Sequence, residues 1–83
     1  MKNLLQVVSD RLKEIMEERG LNQYQLYKLT GIPQPTLSMI MKAPDDRKDI
    51  YFSTIYEICS GLEIEFMDFF NSECVKIENI KDL

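Results

Sequence analysis

The stretch from Asn22 to Lys42 constrains the fold of this chain most, because it holds two short apolar-patterned segments with a single tight turn between them. In the first segment Asn22 is placed to cap a helix, its side-chain oxygen accepting an orphan amide of the first turn. Leu26 and Leu29 supply that helix's expected buried positions, and it ends at Thr30 and Gly31, where glycine enters the left-handed conformation at little cost. The second segment predicts a helix from near Gln34 to about Lys42. Pro35 is tolerated there because first-turn amides have no intrahelical acceptor to lose. Leu37, Ile40 and Met41 fall on one side of this helix. Two short helices joined by a glycine turn, the second presenting small and polar side chains outward, form a device suited to entering a major groove.

The flanking sequence predicts three more helices. Leu5, Val8, Leu12 and Ile15 recur at steps of three and four, which makes one apolar stripe on a helix from Leu4 to Arg19, stopped by Gly20. Residues 43–52 carry Ala43, Pro44, Asp45, Asp46 and Arg47, a loop composition. Ser53 is placed to cap a fourth helix through Gly61, burying Ile55, Ile58 and, just beyond, Leu62. A short fifth helix is expected from Phe66 to Asn71, with Phe66, Phe69 and Phe70 giving much apolar area for its length. The reading is therefore an all-α, compact five-helix domain over residues 1–71, with its helix-turn-helix at about 22–42 and a tail, 72–83, as a candidate dimerisation extension. At 83 residues the chain has room for one such domain and not two.

Several classes of function find no support in these residues. No apolar run approaches the roughly 20 residues a membrane helix needs, and Met1 to Asp10 lacks a cleavable signal pattern, so the expected location is the cytoplasm. Cys59 and Cys74 match no metal-binding spacing and are expected as free thiols. The chain has no His, no nucleophile beside an evident base, no glycine-rich phosphate loop and no metal-ligand cluster, so neither enzymatic activity nor a cofactor or metal is expected.

Charge is divided unevenly along the chain. The formal net charge is −4, which argues against a phosphate-binding surface. Residues 1–48, however, hold eight Lys and Arg against six Asp and Glu, net +2, while 49–83 hold two against eight, net −6. The first half can face DNA while the acidic half faces solvent or a protein partner.

Three stretches carry a resemblance to a known family: Gly20-Leu-Asn-Gln-Tyr-Gln-Leu26, Gly31-Ile-Pro-Gln-Pro-Thr-Leu-Ser38, and Ile55-Tyr-Glu-Ile-Cys-Ser-Gly-Leu62 followed by Asp68-Phe-Phe70. Together they resemble the Cro and phage-repressor (XRE-type) regulators over about Leu12 to Phe70. The resemblance implies five packed helices with the third in the major groove of operator DNA. It further implies that Gln23 grips a phosphate, aided by the amides and dipole of a helix N-terminus, and that Gln34 reads a base, as a glutamine can by bidentate bonding to adenine.

With Leu37, Ile40 and Met41 inward, a helical wheel points Pro35, Ser38, Met39 and Lys42 outward with Thr36 to one side, and these are groove candidates. Met39 is suited to thymine methyls or to shaping the surface, not to hydrogen bonding. Lys42, Arg47 and Lys48 are candidate backbone contacts, with Asp45, Asp46 and Asp49 among them to weaken the attraction.

The chain departs from the family pattern in two places. Tyr27 stands where the family usually has alanine, which puts the close approach of the recognition helix in question unless the ring turns outward. Met16 and Met41 stand where many members bury an arginine and a glutamate; they are expected to face each other as an apolar replacement that removes the desolvation cost of two charges.

The expected function is sequence-specific binding of a double-stranded DNA operator by a transcriptional repressor acting as a homodimer. Phe66, Phe69, Phe70, Val75, Ile77 and Ile80 are the candidate dimer surface. The alternative is an antitoxin-like or adaptor module on the same fold, binding a protein through the acidic C-terminal half.

Overall fold

The computed structural model describes residues 2–72, which form five helices in the order α1 (Leu4–Arg19), α2 (Gln23–Thr30), α3 (Gln34–Lys42), α4 (Phe52–Leu62) and α5 (Phe66–Phe69). No strand lies among these helices. Helices as short as α2 and α3 are marginal alone, so their order comes from packing. Leu5, Val8, Leu12 and Ile15 of α1 bury the predicted stripe against Leu26, Ile32, Leu37, Ile40, Ile55, Ile58, Cys59, Leu62 and Phe69. Each such aliphatic side chain contributes ~1.5–3 kcal/mol when fully buried. Met16 and Met41 are both half-buried and pack against this core.

The start of α1 is fixed by a reciprocal cap. Asn3 Oδ1 accepts from the Gln6 amide at 3.0 Å, and Gln6 Oε1 accepts from the Asn3 amide at 3.0 Å. The Leu5 amide, another orphan of the first turn, donates to the Lys48 carbonyl at 3.0 Å and ties the α3–α4 loop to this end of α1. Further along, Ser9 Oγ donates to the Met41 carbonyl at 3.4 Å, joining α1 to the last turn of α3.

Two arginines of α1 hold the C-terminal helices. Arg19 Nη1 donates to the Leu62 carbonyl at 2.8 Å, satisfying an orphan acceptor at the end of α4. Arg11 donates through Nε to the Phe69 carbonyl at 2.5 Å and through Nη2 to the Asp68 carbonyl at 3.0 Å, while pairing with Glu14 at 2.5 Å. A cation beside these carbonyls also meets the negative end of the helix dipole.

Several boundaries differ from the sequence reading. Ser53 does not cap α4: the Tyr51 carbonyl accepts from the amides of Thr54 and Ile55, so the helix begins at Phe52 and Ser53 lies inside its first turn. The fifth helix is shorter than expected, Phe66–Phe69 and not Phe66–Asn71. Leu29 is 49% exposed and not buried; Ile32, in the turn, takes the core position instead. Of the fifth-helix phenylalanines, Phe69 is wholly buried and Phe66 and Phe70 are half-buried against the core, so most of that apolar area serves the domain itself. Val75, Ile77 and Ile80, with Cys74, lie outside the described residues. Cys59 is a buried free cysteine, and burial pushes its thiol above the ordinary range, which keeps it protonated near neutrality.

Gly61 does not end α4; the helix runs on to Leu62, and Glu63 takes the left-handed cap at φ 55°. The glycine is there for space. A Cβ at position 61 would lie 2.6 Å from the Leu29 carbonyl oxygen and 2.7 Å from the Thr30 Cα, both backbone atoms that cannot swing aside. Gly61→Ala is expected to destabilise the fold despite the ~0.5–1 kcal/mol that alanine gains over glycine inside a helix, because overpacking costs ~1–3 kcal/mol. Urea unfolding checks this: the midpoint should fall at constant slope, and an unchanged or raised midpoint would contradict the close backbone approach.

Candidate nucleic-acid interface

The turn between α2 and α3 sets the geometry of the site. Gly31 takes φ 74° and its amide donates to the Tyr27 carbonyl at 2.8 Å, closing α2. Ile32 then drops into the core with 2% exposure. Thr30 secures it: its hydroxyl donates to the Leu26 carbonyl at 2.8 Å and accepts from the Ile32 amide at 3.2 Å. Pro33 presets the entry to α3, whose first helical residues are Gln34 and Pro35, and the Leu37 amide returns to the Pro33 carbonyl at 3.1 Å.

At the other end of α2, Asn22 and Gln25 form a second reciprocal cap. Asn22 Oδ1 accepts from the Gln25 amide and Gln25 Oε1 accepts from the Asn22 amide, each at 2.8 Å. This cap takes the third amide of the helix and leaves those of Gln23 and Tyr24 directed out of its positive end.

The structure brings Gln23, Gln34 and Ser38 together. Gln23 Nε2 donates to Ser38 Oγ at 3.0 Å, and lies 3.5 Å from both the carbonyl oxygen and the side-chain Oε1 of Gln34. The longer pair are weak, so the firm bond is to Ser38. Gln34 and Pro35 are exposed on the first turn of α3, while Thr36 and Ser38 are half-exposed along it. A polar edge therefore runs from the N-terminus of α2 across to the N-terminal half of α3.

A second group lies beside this edge. Thr36, Met39 and Arg47 line one groove with Asp49, Ile50, Tyr51 and Thr54, between α3 and the start of α4. Met39 does not stand free as the wheel placed it; it is half-buried and packs against the core, leaving only part of its side chain to the groove. Lys42 is exposed at the end of α3 and Lys48 in the loop, outside both groups. Tyr51, 82% exposed on this groove, escaped the sequence reading. Its signal was its place next to the basic loop, but a lone tyrosine at a helix start reads equally well as packing.

Tyr27 answers the question its size raised. Its ring is turned outward, 38% exposed and 6.1 Å from that of Tyr24, so it does not separate α2 from α3. Lys28 sits 5.9 Å over the Tyr24 ring on the same outer face.

Residues 11–74 match the family of Cro/C1-type HTH DNA-binding domains, and the chain belongs to that family. No curated protein and no solved structure matches it significantly. The membership accounts for the five-helix fold and makes DNA the ligand of this domain. Among the described residues no helix is long and apolar enough to cross a membrane, and no group of His, Cys, Asp and Glu could hold a metal ion.

Asn22→Ala is expected to cost ~1 kcal/mol of stability through loss of the cap and to weaken DNA binding equally for all sequences, since it frays the helix end that carries Gln23. Thermal unfolding and competition between two duplexes check both parts; a change in base preference would place Asn22 in direct readout instead.

Proposed function

We propose that the chain is a sequence-specific transcriptional repressor that reads the major groove with α3 and holds the adjacent phosphate backbone with the N-terminus of α2. The observation that carries this reading is the Gln23–Gln34–Ser38 cluster. It places an amide side chain at a helix N-terminus, suited to a phosphate, next to another at the exposed first turn of α3, suited to a base edge. The bond from Gln23 to Ser38 holds the Gln23 amide against α3 before DNA arrives, which lowers the ordering cost of binding. Pro35, Thr36 and the free part of Met39 extend the groove-facing surface. Lys42, Arg47 and Lys48 act on phosphates, offset by Asp45, Asp46 and Asp49, so the salt dependence should reflect only a few released ions.

Repression follows from occupancy: a protein tightly placed on a duplex excludes another from the same stretch. The α3 helix, at nine residues, is ~13 Å long and covers only a few base pairs. Useful specificity therefore calls for two copies on two half-sites, and the proposed active form is a homodimer on an inverted repeat in the cytoplasm. The domain proper is residues 1–71, with 72–83 as an extension available for pairing.

The test begins with a site selected from random duplex DNA. Gln34→Ala should weaken that site by ~1–3 kcal/mol and blur preference mainly at one base position. Gln23→Ala should weaken selected and random DNA alike, because phosphates carry no direct sequence information. Equal loss on random DNA for Gln34→Ala, or altered base preference for Gln23→Ala, would overturn the assigned roles. Sedimentation with the selected duplex should show two protomers per site; one protomer on a site without any repeat would remove the dimer from the account.

A further inference from the structure

The face built by α4 and the α4–α5 link is chemically unlike the DNA side. Phe52 and Tyr56 lie one turn apart on α4 and are 66% and 61% exposed. Phe52 stacks at 5.0 Å on Phe66, which in turn meets Phe70 at 5.1 Å, so the exposed rings are continuous with the buried end of the core. Tyr56 and Phe66 form the aromatic sides of a groove whose other lining residues are Cys59, Ser60, Glu63, Ile64 and Glu65. An adjoining groove on the α2 side adds Glu57, with Lys28 at its far edge. Between residues 49 and 72 the chain has five acidic residues, Asp49, Glu57, Glu63, Glu65 and Asp68, and no Lys or Arg. Arg11 and Arg19 donate to the carbonyls that end α5 and α4 and line a neighbouring groove with Glu18, Glu63, Glu65 and Asp68, where carboxylates outnumber them.

We infer that this acidic, aromatic groove docks a basic segment of another protein, with apolar side chains between Tyr56 and Phe66 and Lys or Arg against Glu57, Glu63 and Glu65. Charge selects the occupant. A second copy pairing through the same face would oppose these carboxylates with its own, and the phosphates of nucleic acid would meet like charge on Glu57, Glu63 and Glu65. The chain's own tail is a poor match, since residues 73–83 carry three acidic residues against two lysines. The groove lies at the Gly61 end of α4, against Leu29 and Thr30, and hence at the opposite end of α2 from Gln23. A partner there leaves the DNA edge open, so one protein can hold a duplex and a basic protein together.

The full chain titrated with a fluorescein-labelled amphipathic Lys/Leu helix tests this, with a Glu/Leu helix as control. The expected result is binding of the Lys/Leu peptide alone, with amide shifts confined to Tyr56, Glu57, Ser60 and residues 63–66. It should be weakened about ten-fold or more by Glu57→Lys/Glu65→Lys and also by Tyr56→Ser, which alters no charge and lies on an exposed position. Loss of peptide binding in Glu57→Lys/Glu65→Lys but not in Tyr56→Ser would reduce the face to general ionic attraction and overturn the inference. So would shifts elsewhere, self-association through this face, or stronger peptide binding after truncation at Ser72.

Discussion

The relative orientation of α2 and α3, the two helices of the helix-turn-helix, depends on one buried residue in a three-residue turn. Ile32 is fixed in the core from both sides, by apolar packing and by the Thr30 hydroxyl that accepts its amide. With Ile32 anchored, Gly31 must turn left-handed and Pro33 must lead into α3 at a set direction. The proximity of Gln23 to Gln34 and Ser38 is then a consequence of that anchor, because neither α2 nor α3 is long enough to hold a direction alone. The rest of the domain serves the same end. The α1 helix packs along α3, whose Leu37 and Ile40 are buried, and Gly61 lets α4 press against the backbone of α2.

Much of this was legible in the sequence because it rests on local rules. The stripe of α1, the Asn22 cap, the Gly31 turn and the extent of α3 all follow from spacing and capping chemistry, and all five helices occur where expected. What escaped depends on tertiary contact. Leu29 fits the helical period as well as Leu26 does, and only the placement of Ile32 in the core leaves it outside. Ser53 is a good capping residue, but the Tyr51 carbonyl reaches the first turn of α4 before it can act. Gly61 looked like a helix end because glycine is common there; its role, close backbone approach, needs a partner that local pattern does not reveal. For the site, Gln23 and Gln34 were singled out through family resemblance and Ser38 through the helical wheel, and their mutual contact follows from the turn. Met39 was set too far outward, since a wheel assigns a side to a residue but cannot weigh its packing against the loop.

Charge is arranged to match the division of surfaces. Residues 1–48 are only mildly basic, and the loop after α3 interleaves Arg47 and Lys48 with three aspartates. Under the proposed function, long-range attraction to phosphate is accordingly weak, which places more of the binding on close contacts, with α2 positioning the domain and α3 discriminating. Under the proposed function, the acidic and aromatic α4–α5 side would face away from the same polyanion. One chain thus combines a weakly steered reading edge with a face of opposite chemistry.

The most direct measurement of the central account is an amide chemical-shift titration of the full chain with a duplex selected from random DNA. The largest changes are expected on Gln23 and Tyr24 at the start of α2 and on residues 34–39 of α3, with smaller changes from Arg47 to Tyr51. Changes centred on α4 and α5, with α3 unmoved, would contradict it.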